Sequence, residues 1–433
     1  MSDAAQERAR AAHLLHQVTD RRRTTDQALA DQTVSPLVQE LLYGSLRHYF
    51  SLCAAVNQTL RHPLKAKDHD LAALMIVGAY QLRYMRVPDH AAIHETVGAC
   101  RALRKPWARG LVNAVLRKLA AADPPPAAAD DSDHPPWLAR TLRREYADAP
   151  ALLAADNTRA PMTLRINRAR STVADYLARL DRAGLGHRAA CATAAGDPGL
   201  APAEETRVLE HPLPVAELPG YAEGLVSVQD AGAQFAALLL APEPGDRLLD
   251  ACAAPGGKLF HLLERVPKLR AAALEARPER LAQLREEGRR LGHDEVTYLH
   301  GDASVLDWWD GVPFQRILVD APCSGTGTLR RHPDIKILRR AEDVDAFARL
   351  QQRLLENLWR VLEPGGTLLY CTCSILAAEN DDVVAAFLHQ REDAELSSFR
   401  LASGRPTRLG WQLLPIDPDT DGFYYARMNK AAA

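Results

Sequence analysis

The sequence contains little cysteine, with only seven residues in 433. This low and odd number lacks the spacing of a disulfide framework, which argues against a secreted scaffold and favours the reducing cytoplasm. Long apolar runs are also missing, because no stretch approaches the roughly 18 uninterrupted apolar residues of a membrane span. The first ten residues have no apolar core of the signal-peptide type. We therefore expect a cytoplasmic protein without a membrane partner.

Signatures of two common kinds of ligand site are absent as well. No cysteines and histidines stand at zinc-ligand spacing, since Cys371 and Cys373 lie too close together and have no second pair, so we expect no metal. The glycine-rich turn at residues 252–258 carries neither the G-x-G-x-x-G fingerprint of dinucleotide binding nor the G-x-x-x-x-G-K-[ST] phosphate loop. A turn of this kind fits a nucleoside cofactor that has no phosphates.

The residues that are present describe an ordinary globular chain, 47% hydrophobic and 25% charged. Its length of 433 residues suggests two or three domains of roughly 150 residues each. The net charge of −2 hides an asymmetry, because residues 1–120 contain 17 Lys and Arg against 10 Asp and Glu, and the remainder contains 36 against 45. A basic front on an acidic body favours a polyanionic partner held by the front. The alternative is a solvated helical surface without a ligand.

Residues 1–125 are predicted to form a domain of helices only. Segments 38–44 and 71–77 place apolar residues at helical spacing, without the alternation that is typical of strands. Prolines then accumulate between Ala121 and Pro136. Because proline cannot continue a helix, this stretch is predicted to be a linker and a domain boundary.

The middle of the chain, residues 137–223, is predicted to be a small α+β module. Residues 163–167 alternate like a strand, and residues 173–180 are predicted to be helical, with Gly184 as the stop.

Residues 226–433 are predicted to form a doubly wound, Rossmann-like α/β domain, because strand-like and helical runs alternate along them. The predicted strands cover residues 247–250, 271–275, 296–299, 317–320 and 367–370, and a helix is predicted over residues 278–292.

Acidic residues follow three consecutive strands of this predicted sheet. Asp250 ends the first strand, Glu275 ends the second, and Asp302 follows the third. In this fold an acid after the second strand accepts hydrogen bonds from ribose hydroxyls, so Glu275 is the ribose candidate, and Asp302 would accept from an adenine amine. S-adenosylmethionine suits this set. The alternative for each acid alone is a helix cap.

Two cysteines stand where buried strands are predicted to end. Cys323 lies in Asp-Ala-Pro-Cys after the apolar run 316–319, and Cys373 lies in Thr-Cys-Ser after residues 366–370. Ligands of an open α/β sheet bind beyond the carboxyl ends of the strands, so both thiols are expected to share one pocket. One thiol would then act as nucleophile and the other as its helper.

These motifs together carry a resemblance to a known family. Asp-Ala-Pro-Cys-Ser-Gly-Thr-Gly at residues 320–327, with Thr-Cys-Ser at residues 372–374, resembles the RNA cytosine-C5 methyltransferases of the NOL/NOP/Sun family. The resemblance to one bacterial branch runs almost end to end. It implies a NusB-like RNA-binding front domain and a monomer that methylates cytosine 967 of 16S ribosomal RNA, either free or in early assembly.

The resemblance also implies the roles of the site residues. Cytosine C5 cannot take a methyl group unaided, so a thiolate first adds to C6, and the surroundings must activate that thiol. Cys373 would be this nucleophile, and Cys323 would assist product release. Asp320 would contact the cytosine ring, and Lys258 would contribute positive potential. The cofactor would be held by Cys252, Ala253, Ala254, Pro255, Gly256, Gly257, Lys258, Glu275, Asp302 and Asp320.

Two positions qualify this resemblance. Members of the family often have Asp where Glu275 stands, and Glu keeps the acceptor but lengthens its reach. Cys371 precedes the Thr-Cys-Ser motif and is a potential decoy thiol, which we predict to be a small buried hydrophobe. Cys252 is expected to contact the cofactor through its backbone only. The same buried role as for Cys371 is predicted for Cys53, Cys100 and Cys191.

Lys258 and a basic run after Cys323 are expected to meet anions. A cation near a helix start opposes the helix dipole, so a substrate phosphate or a site carboxylate is expected beside Lys258. The basic run is predicted to hold backbone phosphates, and a solvated loop is its alternative. The target base must be unpaired or flipped to reach a thiol in a pocket. The basic run contains Arg330, Arg331, Lys336, Arg339 and Arg340.

Three rival functions remain open from the sequence. The same chemistry on transfer RNA is disfavoured by the NusB-like front. DNA cytosine methylation would use the Pro-Cys cysteine as nucleophile and would lack the second cysteine motif, which is present here. A non-catalytic RNA-binding factor with the same fold is disfavoured by two intact cysteine motifs and an intact glycine turn.

Overall fold

The computed structural model describes residues 2–30, 32–122, 133–191 and 199–432, and the chain divides into two compact units. The helical unit comprises Met1–Arg159 and Leu329–Ala341, and the sheet unit comprises Ala160–Thr328 and Glu342–Ala433. The segment Leu329–Ala341 thus belongs to the helical unit, although the chain on both sides of it belongs to the sheet unit. Among the described helices, none has the length and apolar character needed to cross a lipid bilayer.

Side-chain caps begin the first helices of the helical unit. Ser2 accepts a hydrogen bond from the backbone N–H of Ala5, and Thr24 and Gln27 form a capping box at the second helix. Within residues 2–30 and 32–122 the structure contains helices and no strand, as predicted. The helices are α1 (Asp3–Thr19), α2 (Thr25–Leu29), α3 (Pro36–Arg47), α4 (Tyr49–Thr59), α5 (His69–Tyr84), α6 (Asp89–Ala102), α7 (Arg109–Ala121), α8 (Pro136–Glu145), α9 (Ala149–Ala155) and, in the returning segment, α14 (Ile335–Leu338).

Helices α1 to α7 pack around one apolar core, and α14 packs against it. Leu14 of α1, Leu41 of α3 and Leu74 of α5 are fully buried in it. Helices α3 and α5 approach closely at Gly44, where a Cβ atom would lie 2.0 Å from a ring carbon of Tyr80. Only glycine leaves room for this contact. Most of the linker predicted between the front and middle domains lies outside the described residues.

A four-stranded antiparallel sheet forms the middle of the chain, which confirms the predicted α+β module. Its strands β1 (Thr163–Ile166), β2 (His187–Ala189), β3 (Thr206–Leu209) and β4 (Val226–Val228) have the order β2-β3-β1-β4. Helix α10 (Val173–Arg182) begins at a capping Thr172 and contributes Tyr176 to the same apolar cluster as Leu164. Helices α8 and α9 belong to the helical unit and not with this sheet.

The large sheet has nine strands among the described residues. Their order is β11-β12-β13-β9-β8-β5-β6-β7, with β10 paired to β13. The strands are β5 (Arg247–Asp250), β6 (Arg270–Glu275), β7 (Thr297–His300), β8 (Phe314–Asp320), β9 (Leu362–Thr372), β10 (Ala394–Ser397), β11 (Arg405–Pro406), β12 (Trp411–Leu413) and β13 (Phe423–Lys430). The helices of this part are α11 (Ala231–Leu240), α12 (Gly257–Arg265), α13 (Pro278–Leu291), α15 (Ala341–Val361) and α16 (Asp381–His389).

Five neighbouring strands, β9-β8-β5-β6-β7, run parallel and confirm the predicted doubly wound core. Their centre is apolar on both faces, as the full burial of Leu249, Leu318 and Leu369 shows. Four antiparallel strands at one edge were not predicted. Strands β11 and β12 have only two and three residues, which is too short to show a period.

Candidate active site

The two cysteines predicted to share a pocket are in contact. Strands β8 and β9 are parallel neighbours, and their ends place Asp320 opposite Cys371. The loop after β8 returns to β9, where the Gly327 N–H donates to the Cys373 carbonyl at 2.9 Å. The sulfur atoms of Cys323 and Cys373 lie 3.4 Å apart. The strand ends therefore bring both thiols to one point, as the sequence predicted.

The neighbourhood of the pair decides the protonation of Cys323. The hydrogen bond with Cys373 and burial raise the pKa of the Cys323 thiol well above its ordinary value. Cys323 therefore keeps its proton at neutral pH. A protonated thiol suits a role in proton transfer better than the role of the attacking thiolate.

The remaining cysteines separate into buried and accessible ones. Cys371 is fully buried, and burial followed by the charge of Asp320 raises the pKa of its thiol, so the predicted inert role fits. Cys100 is buried as well, and Cys53 is half-buried against the helical core. The prediction for Cys191 was wrong, because this residue is exposed just after the short strand β2, with its backbone N–H donating to Asp419.

Lys258 is held by the site carboxylate, one of the two partners expected for it. It is the second residue of α12, and its Nζ donates to Asp320 Oδ2 at 2.6 Å. Burial is the largest single influence and would lower the pKa of Lys258, but the charge of Asp320, its hydrogen bond and the neighbouring Cys371 and Cys373 together outweigh burial and raise this pKa above its ordinary value. Nζ also lies 5.1 Å from the ring centre of Phe423. The site therefore contains a fixed ion pair beside the two thiols.

The turn between β5 and α12 is shaped by glycine and by a buried acid. Gly256 has φ +106°, a backbone conformation that other residues rarely adopt. Asp250 at the end of β5 is 1% exposed, and burial followed by the charge of Asp320 raises its pKa to about 7. The Asp250 carboxylate accepts the Cys252 N–H at 3.4 Å. Burial raises the pKa of the Cys252 thiol, and its predicted contact with the cofactor through the backbone alone stays a prediction.

Glu275 and Asp302 lie at the same edge of the sheet but differ in exposure. Glu275 ends β6, is 5% exposed, and accepts the Arg277 N–H at 3.0 Å, with the Arg280 guanidinium 3.5 Å from its second oxygen. Asp302 follows β7, is exposed, and accepts the Ser304 N–H at 2.8 Å. Both side chains keep free lone pairs on their carboxylates.

A buried carboxylate that the sequence analysis missed ties the two cysteine loops together. Glu379 is 0% exposed. One of its oxygens accepts the Ser324 N–H at 2.7 Å, and the other accepts the hydroxyls of Ser324 at 2.5 Å and Ser374 at 2.6 Å. Ser324 follows Cys323 and Ser374 follows Cys373, so one carboxylate bridges both motifs. The available signal was the pair of serines, because buried hydroxyls require an acceptor.

The basic run after Cys323 does not offer all its charges to a ligand. It lies in the returning segment of the helical unit, where Lys336 is 1% exposed. Its Nζ donates to Asn157 Oδ1 at 2.5 Å and to the Arg47 carbonyl at 3.2 Å. Burial lowers the pKa of Lys336 to about 8. The prediction that Lys336 holds a phosphate was therefore wrong, because the segment folds into the core of the helical unit.

Arg330 in the same run is also buried, and its carbonyl accepts the Arg47 guanidinium at 3.4 Å. Arg331 and Arg339 are half-buried, and Arg340 is exposed. Phosphate binding by these four arginines stays a prediction.

The raised pKa of Asp250 leads to a testable pH dependence. Because its folded pKa of about 7 exceeds the ordinary 3.8, the folded chain retains a proton that the unfolded chain releases. The contribution to the free energy of unfolding is complete below about pH 4 and is lost as the pH rises through about 7. Asp250→Asn should therefore gain Tm relative to the parent chain as the pH rises from about 4 to about 7 in thermal melts. A Tm difference that stays constant with pH would contradict this expectation.

Comparisons with known proteins identify relatives along nearly the whole chain. The family model for 16S rRNA methyltransferase RsmB/F matches residues 237–429, the NusB family model matches residues 5–121, and the ferredoxin-like domain of RsmF/B-type methyltransferases matches residues 134–196. Ribosomal RNA small subunit methyltransferase B of Vibrio cholerae is 44% identical, over 98% of this chain and 97% of that protein. The protein of the same name from Xanthomonas campestris is 43% identical, over 98% and 97%.

The chain belongs to the RsmB/F family of 16S rRNA methyltransferases. The solved structure of PH0851 shares the fold over 99% of both chains, with a TM-score of 0.84 at 21% identity. RsmB/F membership confirms the predicted enzyme class, an S-adenosylmethionine-dependent RNA cytosine-C5 methyltransferase. It also confirms the NusB-like helical front and identifies the middle module as ferredoxin-like.

Proposed function

We propose that this chain methylates C5 of cytosine 967 in 16S rRNA, with Cys373 as the nucleophile and Cys323 as its partner in product release. The contact between the two sulfur atoms, 3.4 Å apart, carries this proposal. A lone cysteine would support addition to the ring, but a second thiol at this distance supports the reverse step as well. Membership in the RsmB/F family supports 16S rRNA as the substrate.

The chemistry follows from the needs of the cytosine ring. When the Cys373 sulfur bonds to C6, electron density moves to C5. C5 would then bond to the methyl carbon that bound S-adenosylmethionine supplies, as the sulfonium–methyl bond breaks and S-adenosylhomocysteine leaves. The C5 proton then leaves, and the C6–Sγ bond breaks to restore the aromatic ring. Cys323 lies where it can exchange a proton during this last step. We propose that Asp320 contacts the ring and that Lys258, which donates to Asp320 Oδ2 at 2.6 Å, holds it in position and adds positive potential.

The residues at the strand ends fit the cofactor. Glu275 and Asp302 provide carboxylate oxygens, the acceptors that ribose hydroxyls and an adenine amine require. The backbone of residues 252–257 lines the turn between them and the thiols. We propose that these residues and Asp320 hold S-adenosylmethionine.

Glu275→Ala and Asp302→Ala should each weaken cofactor binding several-fold, because a lost hydrogen bond to a neutral partner is worth about 0.5–1.5 kcal/mol. Isothermal titration calorimetry with S-adenosylmethionine measures this change, and circular dichroism checks the fold. Glu295→Ala is a matched control, since Glu295 lies before β7, at the opposite end of that strand from Asp302. Unchanged affinity in both site variants would exclude the assigned pocket.

We propose that Glu379 is a positioning residue for the thiol pair. Glu379→Ala removes the carboxylate that the Ser324 and Ser374 hydroxyls share and leaves them only the longer contacts with each other and with Thr326. A lost hydrogen bond to a charged group costs about 1.5–3 kcal/mol. We expect kcat to fall at least tenfold while the affinity for S-adenosylmethionine stays unchanged. Glu379→Gln keeps the shape of the bridge and should recover part of the rate.

The thiol geometry itself can be followed by oxidation. With diamide as oxidant, Cys323 and Cys373 should form a disulfide quickly in the parent chain and slowly in Glu379→Ala. If Glu379→Ala lowers the Tm but leaves kcat and the rate of disulfide formation unchanged, Glu379 supports only the fold.

The substrate is tested directly by bisulfite sequencing of 16S rRNA. RNA from cells lacking this gene should carry an unmodified cytosine at position 967, and the purified enzyme should restore the modification. Methylation of transfer RNA with no change in 16S rRNA would favour the first rival function.

We further propose that the enzyme works as a cytoplasmic monomer with three domains. The family matches at residues 5–121, 134–196 and 237–429 support the division predicted at residues 1–125, 137–223 and 226–433, except that β4 (Val226–Val228) pairs with β1 and so moves the start of the catalytic domain past residue 228. All seven cysteines are free thiols in the structure, in keeping with a reducing compartment. Light scattering of the purified chain measures its oligomeric state.

A further inference from the structure

The helical unit contains a large groove far in sequence from the cysteine motifs. It has a volume of about 980 Å³ and is lined by α6, α7 and the start of α1. We call it the α6–α7 groove and define its basic side by Arg101, Arg109 and Arg117. Two glycines, Gly98 and Gly110, keep part of the lining free of side chains.

The charges of the groove are available to a ligand. Arg101, Arg109 and Arg117 are all exposed, and no acidic residue among the described residues forms an ion pair with them. Lys105 of the same unit, by contrast, is paired with Asp68 and Asp70. Unpaired guanidinium groups that line one groove are typical of phosphate recognition, because the planar fork matches phosphate oxygens.

Polar groups that can contact a nucleotide extend the basic side. His90 and His94 are exposed on α6, and Asn113 lies one turn before Arg117 and accepts its Nε at 3.3 Å. Two acids also line the groove. Glu95 accepts a hydrogen bond from the hydroxyl of Ser2. Asp89 lies in the first turn of α6, where its negative charge interacts favourably with the helix dipole.

An exposed aromatic residue lies close in the sequence to one of the arginines that line this groove. Trp107 is 64% exposed, the largest exposure among the large hydrophobic residues described. It precedes Arg109 by two residues, in the short turn Pro106–Ala108 that leads into α7. An exposed tryptophan ring offers a flat surface on which an unpaired base can stack.

We propose that the α6–α7 groove binds a single-stranded segment of the ribosomal RNA substrate, with its phosphates on Arg101, Arg109 and Arg117 and an unpaired base stacked on Trp107. This inference rests on the proposed rRNA function and assigns it a second binding surface, outside the catalytic sheet. Neither a metal nor an acidic peptide requires the aromatic platform, whereas a single strand uses both the charges and the ring.

The test uses the full-length enzyme and a fluorescein-labelled, single-stranded 16S rRNA fragment that contains the target cytosine. The triple variant Arg101→Ala/Arg109→Ala/Arg117→Ala should raise the Kd for this RNA and the KM in methylation at least tenfold. It should leave kcat and the affinity for S-adenosylmethionine unchanged. The slope of log Kd against log salt concentration should fall by about 2, since each phosphate contact on a single strand contributes about 0.7.

A matched control removes the same charge from another face. Arg61, Lys65 and Lys67 are exposed cations in the connection between α4 and α5. Their triple alanine variant should change Kd less than threefold. For the ring, Trp107→Ala should weaken binding several-fold, and Trp107→Phe should recover most of it.

The outcomes separate this inference from the proposed function. If the parent enzyme methylates 16S rRNA and the groove variant binds the RNA as well as the control variant does, the groove assignment is wrong. Equal losses in the groove and control variants would also overturn it, because only overall charge would then matter. If the parent enzyme methylates no 16S rRNA, the proposed function fails, and the binding measurements still decide whether the groove holds single-stranded RNA.

Discussion

Cys373→Ser should reduce methylation of 16S rRNA to background. A serine hydroxyl is far less ionised than a thiol at neutral pH, so it cannot add to cytosine C6 at a useful rate. Since the substitution changes one atom at the end of β9, binding of S-adenosylmethionine should be retained. Incorporation of a labelled methyl group into 16S rRNA measures the loss.

Cys371→Ser is the matched control for this experiment. Cys371 lies two residues earlier, inside β9, and is fully buried, so we expect its thiol not to reach the base. The control should stay active within a few-fold. If Cys371→Ser is inactive while Cys373→Ser is active, the nucleophile is Cys371 and the proposed assignment is wrong.

Cys323→Ser should give a different result, the accumulation of a covalent complex between protein and RNA. In this variant Cys373 still attacks C6 and the methyl group still transfers, but release of the product stalls because the second thiol is missing. The complex should appear on a denaturing gel as a shifted band that ribonuclease removes. Its yield should approach one RNA per enzyme, whereas the parent enzyme should show almost none.

The two cysteine variants together distinguish two mechanisms. If Cys373→Ser traps RNA and Cys323→Ser is merely inactive, the roles are exchanged and the enzyme follows DNA-type chemistry on an RNA-type scaffold. If neither substitution lowers activity, the cysteine mechanism itself is wrong.

The sequence predicted those parts of the site that follow from strand ends. An apolar run followed by a motif residue places that residue at one edge of the sheet, which is why Cys323, Cys373 and Glu275 could be assigned without coordinates. Lys258 was predicted to need an anionic partner, and the structure identifies that partner as Asp320.

Features created by tertiary folding could not be predicted in this way. Glu379 joins the two cysteine loops from a short turn that has no strand or helix pattern. In the sequence, Lys336 is indistinguishable from the other cations of a basic run. Its burial arises because the segment Leu329–Ala341 belongs to the helical unit, although the chain on both sides belongs to the sheet unit. The antiparallel edge of the sheet was not predicted for a similar reason. Strands β11 and β12 have two and three residues, which is too short for an alternation of apolar and polar residues to be recognised.

The most direct test of the central claim, that Cys373 forms the bond to the ring, uses RNA with 5-fluorocytosine at the target position. Fluorine at C5 cannot leave in place of the proton, so the enzyme should stay linked to the RNA after methyl transfer. Digestion and tandem mass spectrometry of the complex then identify the linked residue. We expect the modified nucleotide on Cys373. A nucleotide on Cys323, or no covalent complex in the presence of S-adenosylmethionine, would contradict the mechanism.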